Sequence, residues 1–62
     1  MRIDRVKFAA AMAKSDTTAV KLAEKTGLRR GTISNIKQGR SCSDETAQKI
    51  ADGLGVKLES LL

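Results

Sequence analysis

Residues 19–37 read AVKLAEKTGLRRGTISNIK, and their apolar and glycine positions describe two short helices wedged together across a tight turn. Leu22 and Ala23 fall on the first helix, Gly27 and Leu28 in the turn, and Ile33 and Ile36 on the second helix. Glycine at position 27 accepts the positive φ that ends a helix in a sharp turn at little cost. Ala23 is small enough to let the second backbone come close, and Leu22, Leu28, Ile33 and Ile36 fill the wedge. The spacing predicts helices over Ala19 to about Thr26 and Arg30 to about Gln38, joined by Gly27-Leu28-Arg29 and closed by Gly39.

The flanking sequence continues in the same style. Ser15-Asp16-Thr17-Thr18 is a polar break that ends in a good N-cap, Thr18. Before it, Asp4 can cap a helix through about Lys14, with Val6, Ala10 and Ala13 as one apolar row and Phe8 and Met12 beside it. After the pair, Ser43 followed by Asp44 and Glu45 marks another helix start, because acids favour the positive end of the helix dipole. That helix runs to about Gly53 with Leu54-Gly55 as its exit, and a last turn covers Leu58 to Leu62. No alternating apolar run, repeat or Pro-rich linker interrupts the pattern. The expectation is all-α: a compact bundle of five short helices, one domain over residues 1–62.

Composition narrows the chemistry. The 62 residues contain no His, Tyr or Trp and a single Cys, with 12 Lys and Arg against 7 Asp and Glu. A lone Cys42 makes no intramolecular disulfide, which fits a reducing cytoplasm. One Cys without His does not supply a zinc site, and without His the usual base for a catalytic thiol is missing. No apolar run approaches the roughly 18 residues of a membrane span, and no signal-peptide core follows Met1. Neither a cofactor nor a small-molecule ligand is expected, and an enzyme is nearly excluded.

Charge is concentrated where the helix pair lies. Residues 25–40 hold Lys25, Arg29, Arg30, Lys37 and Arg40 with no acid, whereas residues 41–62 hold Lys49 and Lys57 against Asp44, Glu45, Asp52 and Glu59. A basic block between milder segments is the footprint of a surface that faces phosphates.

Two helices crossing steeply about a glycine turn form a helix-turn-helix, whose second helix can enter the DNA major groove. The motif spans residues 18–38. Here the sequence also resembles a known family. LAEKTGLRRGTISNIKQGR at 22–40, followed by a capped helix and KIADGLGVKLESLL at 49–62, is similar to the Cro and phage-repressor (XRE-type, lambda-repressor-like) helix-turn-helix proteins. The resemblance covers residues 5–62 and implies a five-helix DNA-binding domain of bacterial or phage regulators that usually act as dimers. Four positions depart from the family pattern. Thr26 replaces a usual aliphatic residue, implying a looser wedge, and Ala19 replaces a common phosphate-bracing Gln. Met12 and Lys37 stand where an Arg–Glu pair often links the first and third helices, so Lys37 is freed to face phosphate. Cys42 stands where Pro is common.

Helical geometry sorts the second helix of the motif independently of the family. At about 100° per residue, Ile33 and Ile36 define the buried direction. Gly31, Ser34, Asn35 and Gln38 then point away from it, with Arg30, Thr32 and Lys37 on the flanks. Arg30 and Asn35 are the best base readers, since Arg bonds guanine and Asn bonds adenine in two-point contacts. Gly31 leaves room for close approach to the groove, and Ser34 is small enough to touch a base. Gln38, near the helix end, suits a phosphate better than a base. The amides behind Thr18 can hold a phosphate through the helix dipole. Arg29 and Thr32 are further phosphate candidates, as are Lys37, Arg40 and Ser41, which lie where the family's loop follows the DNA backbone.

The expected partner is double-stranded operator DNA, bound by a weak homodimer. Leu58, Leu61 and Leu62 are the candidate dimer surface; ordinary core packing is expected for Leu58 and Leu61, which leaves Leu62 as the better partner contact. A different class of function uses the same fold as a protein-interaction module, such as an antitoxin or anti-repressor, with the leucine-rich end as its docking face. A single-strand RNA binder lacks stacking aromatics, because Phe8 is the only ring.

Overall fold

Side-chain caps set the helix boundaries in the computed structural model, which describes residues 1–62. Asp4 Oδ1 accepts from the amides of Val6 (2.8 Å) and Lys7 (3.3 Å) and opens helix α1, Arg5–Lys14. Thr18 Oγ1 accepts from the Lys21 amide (3.2 Å) and opens α2, Ala19–Thr26. Helix α3 covers Arg30–Lys37, one residue short of the expected end, with Gln38 as its C-cap. Ser43 Oγ accepts from the Thr46 amide (3.1 Å) and opens α4, Asp44–Leu54, which closes at Gly55. The fifth helix expected from sequence is instead one 3-10 turn, Leu58–Leu61. The protein is therefore a four-helix fold with a terminal turn. Four residues offer too few intrahelical bonds to sustain an α-helix.

There is no β-strand, but Arg2 and Ser41 form an isolated antiparallel bridge. Beside it the Cys42 amide donates to the Met1 carbonyl (2.7 Å), and the Asp4 amide donates to the Leu61 carbonyl (2.7 Å). Residues 1–4 thus form a strap that joins the loop after α3 to the C-terminal turn. Ile3 anchors the strap in the core.

One cluster unites every element: Ile3, Phe8, Leu22, Ile33, Ile36, Ala47, Ile50, Ala51, Leu54 and Leu61. Full burial of an aliphatic or aromatic side chain contributes about 1.5–3 kcal/mol, so this small set carries the fold. Leu28, Cys42 and Leu58 are half-buried against it.

Helix α1 buries a different face from the one expected. Val6 is 71% exposed, and Ala10 and Ala13 are exposed, while Phe8 is fully buried and Ala11 and Met12 pack against the core. Phe8 offers far more apolar area than an alanine row, so its direction sets the roll of the helix.

Helix α2 packs against both α3 and α4. The approach to α4 is close at Gly53, where an added Cβ would come within 2.8 Å of Thr26 Cγ2 and 2.9 Å of Leu22 Cδ1. Thr26 takes part in this approach. Its methyl fills the space over Gly53, and its hydroxyl donates to the Leu22 carbonyl (2.7 Å) and accepts from the Leu28 amide (3.3 Å). No buried side-chain polar atom is left without a partner.

Candidate nucleic-acid interface

The turn between α2 and α3 has the geometry its sequence requires. Gly27 sits at φ 71°, in the left-handed region, and its amide donates to the Ala23 carbonyl (2.9 Å). Leu28 turns into the core and Arg29 becomes the first residue of α3's N-terminal boundary. Only Ile33 and Ile36 of α3 are buried, and Thr32 is half-buried. Arg30, Gly31, Ser34, Asn35, Lys37 and Gln38 are all exposed, so every base-reading candidate lies on one open face. A side chain added at Gly31 would meet nothing within 4 Å, so this point of the face is open.

The remaining candidates fall on either side of this face, base-reading and phosphate candidates together. Arg30, Gly31, Ser34 and Lys37 line an open recess with Ala19 at the start of α2. Thr18 is exposed there as the α2 cap, and the first amides of a helix have no intrahelical partner. At the other end, Gly39 (φ 84°) reverses the chain and the Arg40 amide donates to the Asn35 carbonyl (3.0 Å), which turns Arg40 and Ser41 away from the core. Both are exposed, although the backbone of Ser41 is engaged in the bridge to Arg2. Gln38 Nε2 lies 3.5 Å from Ser34 Oγ, a long contact that leaves its amide free for other partners.

The electrostatics favour an anion. The only ion pair in the protein is Lys49–Glu45 on α4 (3.5 Å), so Arg29, Arg30, Lys37 and Arg40 have no carboxylate within salt-bridge distance. Unneutralised cations on an open face are what a polyphosphate surface requires. Met12 and Lys37 form no bridge between α1 and α3, in keeping with their residue types.

Two further cations reach this surface from outside the motif. Arg2 and Arg5 come to the C-terminal end of α3 because the strap docks there, lining an open recess with Gln38 and Gly39. A signal was present: Ile3 and Phe8 flank the Asp4 cap at the spacing of a hydrophobic staple, which fixes the direction from which the chain enters a helix.

Of the candidate dimer residues, Leu61 is 1% exposed and belongs to the core, Leu58 is half-buried, and Leu62 is 49% exposed. Leu62 is the most exposed of the three. No group of three or more potential metal ligands occurs, and no helix is long and apolar enough to cross a membrane.

A short helix pair about a left-handed glycine, with a cationic and otherwise uncommitted second helix, defines a DNA-binding helix-turn-helix domain. The family model for the helix-turn-helix matches residues 8–61, and the chain belongs to this XRE-type family of transcription regulators. No curated protein matches the chain. Among solved structures it is similar to Streptomyces albus HEPD, determined with its substrate 2-hydroxyethylphosphonate and Fe(II) bound, at 23% identity and a TM-score of 0.85. The match covers 100% of this chain and 14% of that one, and at this identity it establishes a shared fold alone.

Proposed function

We propose that this protein is a sequence-specific regulator that binds double-stranded operator DNA with α3 in the major groove, acting in the cytoplasm. The observation that carries this reading is the exposed face of α3, lined by cations that no carboxylate neutralises. Arg30 and Asn35 read bases, each two-point contact contributing about 1–3 kcal/mol of discrimination. Gly31 and Ser34 allow the helix to seat deeply. The α2 amides behind Thr18, together with Arg29, Thr32, Lys37, Gln38, Arg40 and Ser41, hold the phosphates and fix the register. A second copy, contacting through Leu62, pairs two recognition helices with a two-fold operator, and the dimer is weak enough to be completed on DNA.

Selection from a random duplex library at two salt concentrations tests this directly. The expected result is enrichment of a short inverted repeat, with affinity that falls steeply in salt. Absence of binding to any duplex contradicts the reading. Within the selected site, Asn35→Ala is expected to change base preference more than total affinity; equal losses on all sequences would remove Asn35 from base reading.

A further inference from the structure

We infer that Arg2 and Arg5 form a second phosphate clamp, held against the C-terminal end of α3 by the N-terminal strap, and that the DNA-contacting surface therefore extends beyond the helix-turn-helix. The inference rests on the DNA-binding reading above and names a part of the surface that lies outside the motif.

The strap is placed by backbone chemistry. Arg2 pairs with Ser41 in an antiparallel bridge, and the Cys42 amide donates to the Met1 carbonyl at 2.7 Å. Ile3 is 2% exposed, so the residue between the two charged neighbours is locked in the core. Arg2 is thereby carried to the same loop that presents Arg40 and Ser41. Arg5, in the first turn of α1, is brought to the reversal after α3, where a Cβ on Gly39 would lie 3.7 Å from Arg5 Cδ. Both arginines line one recess with Gln38 and Gly39, and Leu62, the proposed dimer contact, forms part of its edge, so the clamp and the contact between copies adjoin.

Their charges are available. Neither makes an ion pair, and Asp4, which shares the recess, has one carboxylate oxygen committed to the Val6 and Lys7 amides. Arg5 also stands at the positive end of the α1 dipole, where a cation is unfavourable to the helix. Two unpaired guanidinium groups held at the Gln38–Gly39 reversal supply the fork of donors that matches phosphate oxygens. Meanwhile Arg30 and Lys37 lie towards the start of α2. Helix α3 thus has cations both along its α2 flank and at its C-terminal end, as a helix in a groove bounded by two phosphate backbones requires.

Salt titration of duplex binding tests the clamp. The double variant Arg2→Ala/Arg5→Ala is compared with wild type and with Lys14→Ala/Lys57→Ala, which removes the same charge away from this recess, all on one mixed-sequence duplex. At about 0.9 per phosphate contact, the log–log salt slope of the arginine variant is expected to be shallower by about 1.8, and that of the lysine variant nearly unchanged. Thermal melting confirms that each variant is folded, and single Arg2→Ala and Arg5→Ala variants, each expected to lose about half of that slope change, serve if the double variant is not. A steep wild-type slope that the arginine variants leave intact overturns the clamp while the DNA reading stands. Equal flattening by both double variants also overturns it, assigning the effect to net charge. A wild-type protein without salt-dependent duplex binding overturns the DNA reading and the clamp together.

Discussion

Helices α3 and α4 share one core, yet they are stabilised in opposite ways. Helix α4 begins with a Ser43 side-chain cap, carries Asp44 and Glu45 at its positive end, and adds a Lys49–Glu45 ion pair and a Gln48–Asp52 hydrogen bond (2.9 Å) on its exposed face. It also buries Ala47, Ile50, Ala51 and Leu54. Helix α3 begins at Arg29, which makes no side-chain cap, and has Arg30 where an acid would be favourable and Gly31 within its first turn. It buries only Ile33 and Ile36. Local chemistry would support α4 with modest help, whereas α3 is held by its neighbours. The residues that cost α3 stability are the same ones that the proposed function sets against an anionic groove.

The dependence of α3 on packing gives the largest expected effect. Ile36→Ala removes half of its buried anchor and is expected to cost about 2–5 kcal/mol. A core this small supplies roughly 3–5 kcal/mol in total, so the variant is expected to lose most of its helical circular dichroism at room temperature. A cooperative melt close to wild type would show that α3 stands without its anchor, and the contrast with α4 would fail. Gly27→Val comes next: forcing a β-branched residue to φ 71° is expected to cost at least about 1–2 kcal/mol and to displace α3 from α2. Unchanged melting and unchanged duplex binding together would mean that the turn does not set the angle between the helices.

The contrast sharpens with smaller changes. Ser43→Ala is expected to lower stability by about 1 kcal/mol, by loss of the α4 cap, and to leave duplex affinity measured on the folded fraction unchanged. Gly31→Ala is expected to act in the other direction. Its new methyl meets nothing within 4 Å and improves helix propensity by up to about 1 kcal/mol, so the melting temperature rises while affinity for the selected duplex falls. A variant that gains both stability and affinity would show that glycine at 31 does not serve close approach.

Much of this was legible in the sequence, for identifiable reasons. Asp4, Thr18, Ser43 and Gly27 act on backbone groups within a few residues, so their effect does not depend on the remainder of the fold. The open face of α3 followed from the two isoleucines because they are its only large apolar residues. Helix α1 was harder to read. With five alanines and methionines among its ten residues it offers several weak apolar stripes, and only packing around Phe8 decides between them. The strap was harder still, because pairing Arg2 with Ser41 joins residues far apart in sequence through backbone groups that carry no side-chain signature. The same pairing brings to α3 two arginines, Arg2 and Arg5, that flank Asp4 in sequence and lie outside the acid-free segment 25–40. For the terminal turn, leucine spacing alone did not distinguish a single 3-10 turn from a short helix.

The central claim is that α3 presents its uncommitted face to DNA, and residue-by-residue amide NMR during titration with the selected duplex tests it most directly. The account predicts that the largest shifts fall on Gly31, Ser34 and Asn35, with further shifts behind Thr18 and across residues 38–42, and that residues of α4 away from this surface move little. Shifts concentrated on the exposed side of α1 or around Leu62, with α3 unmoved, would contradict it.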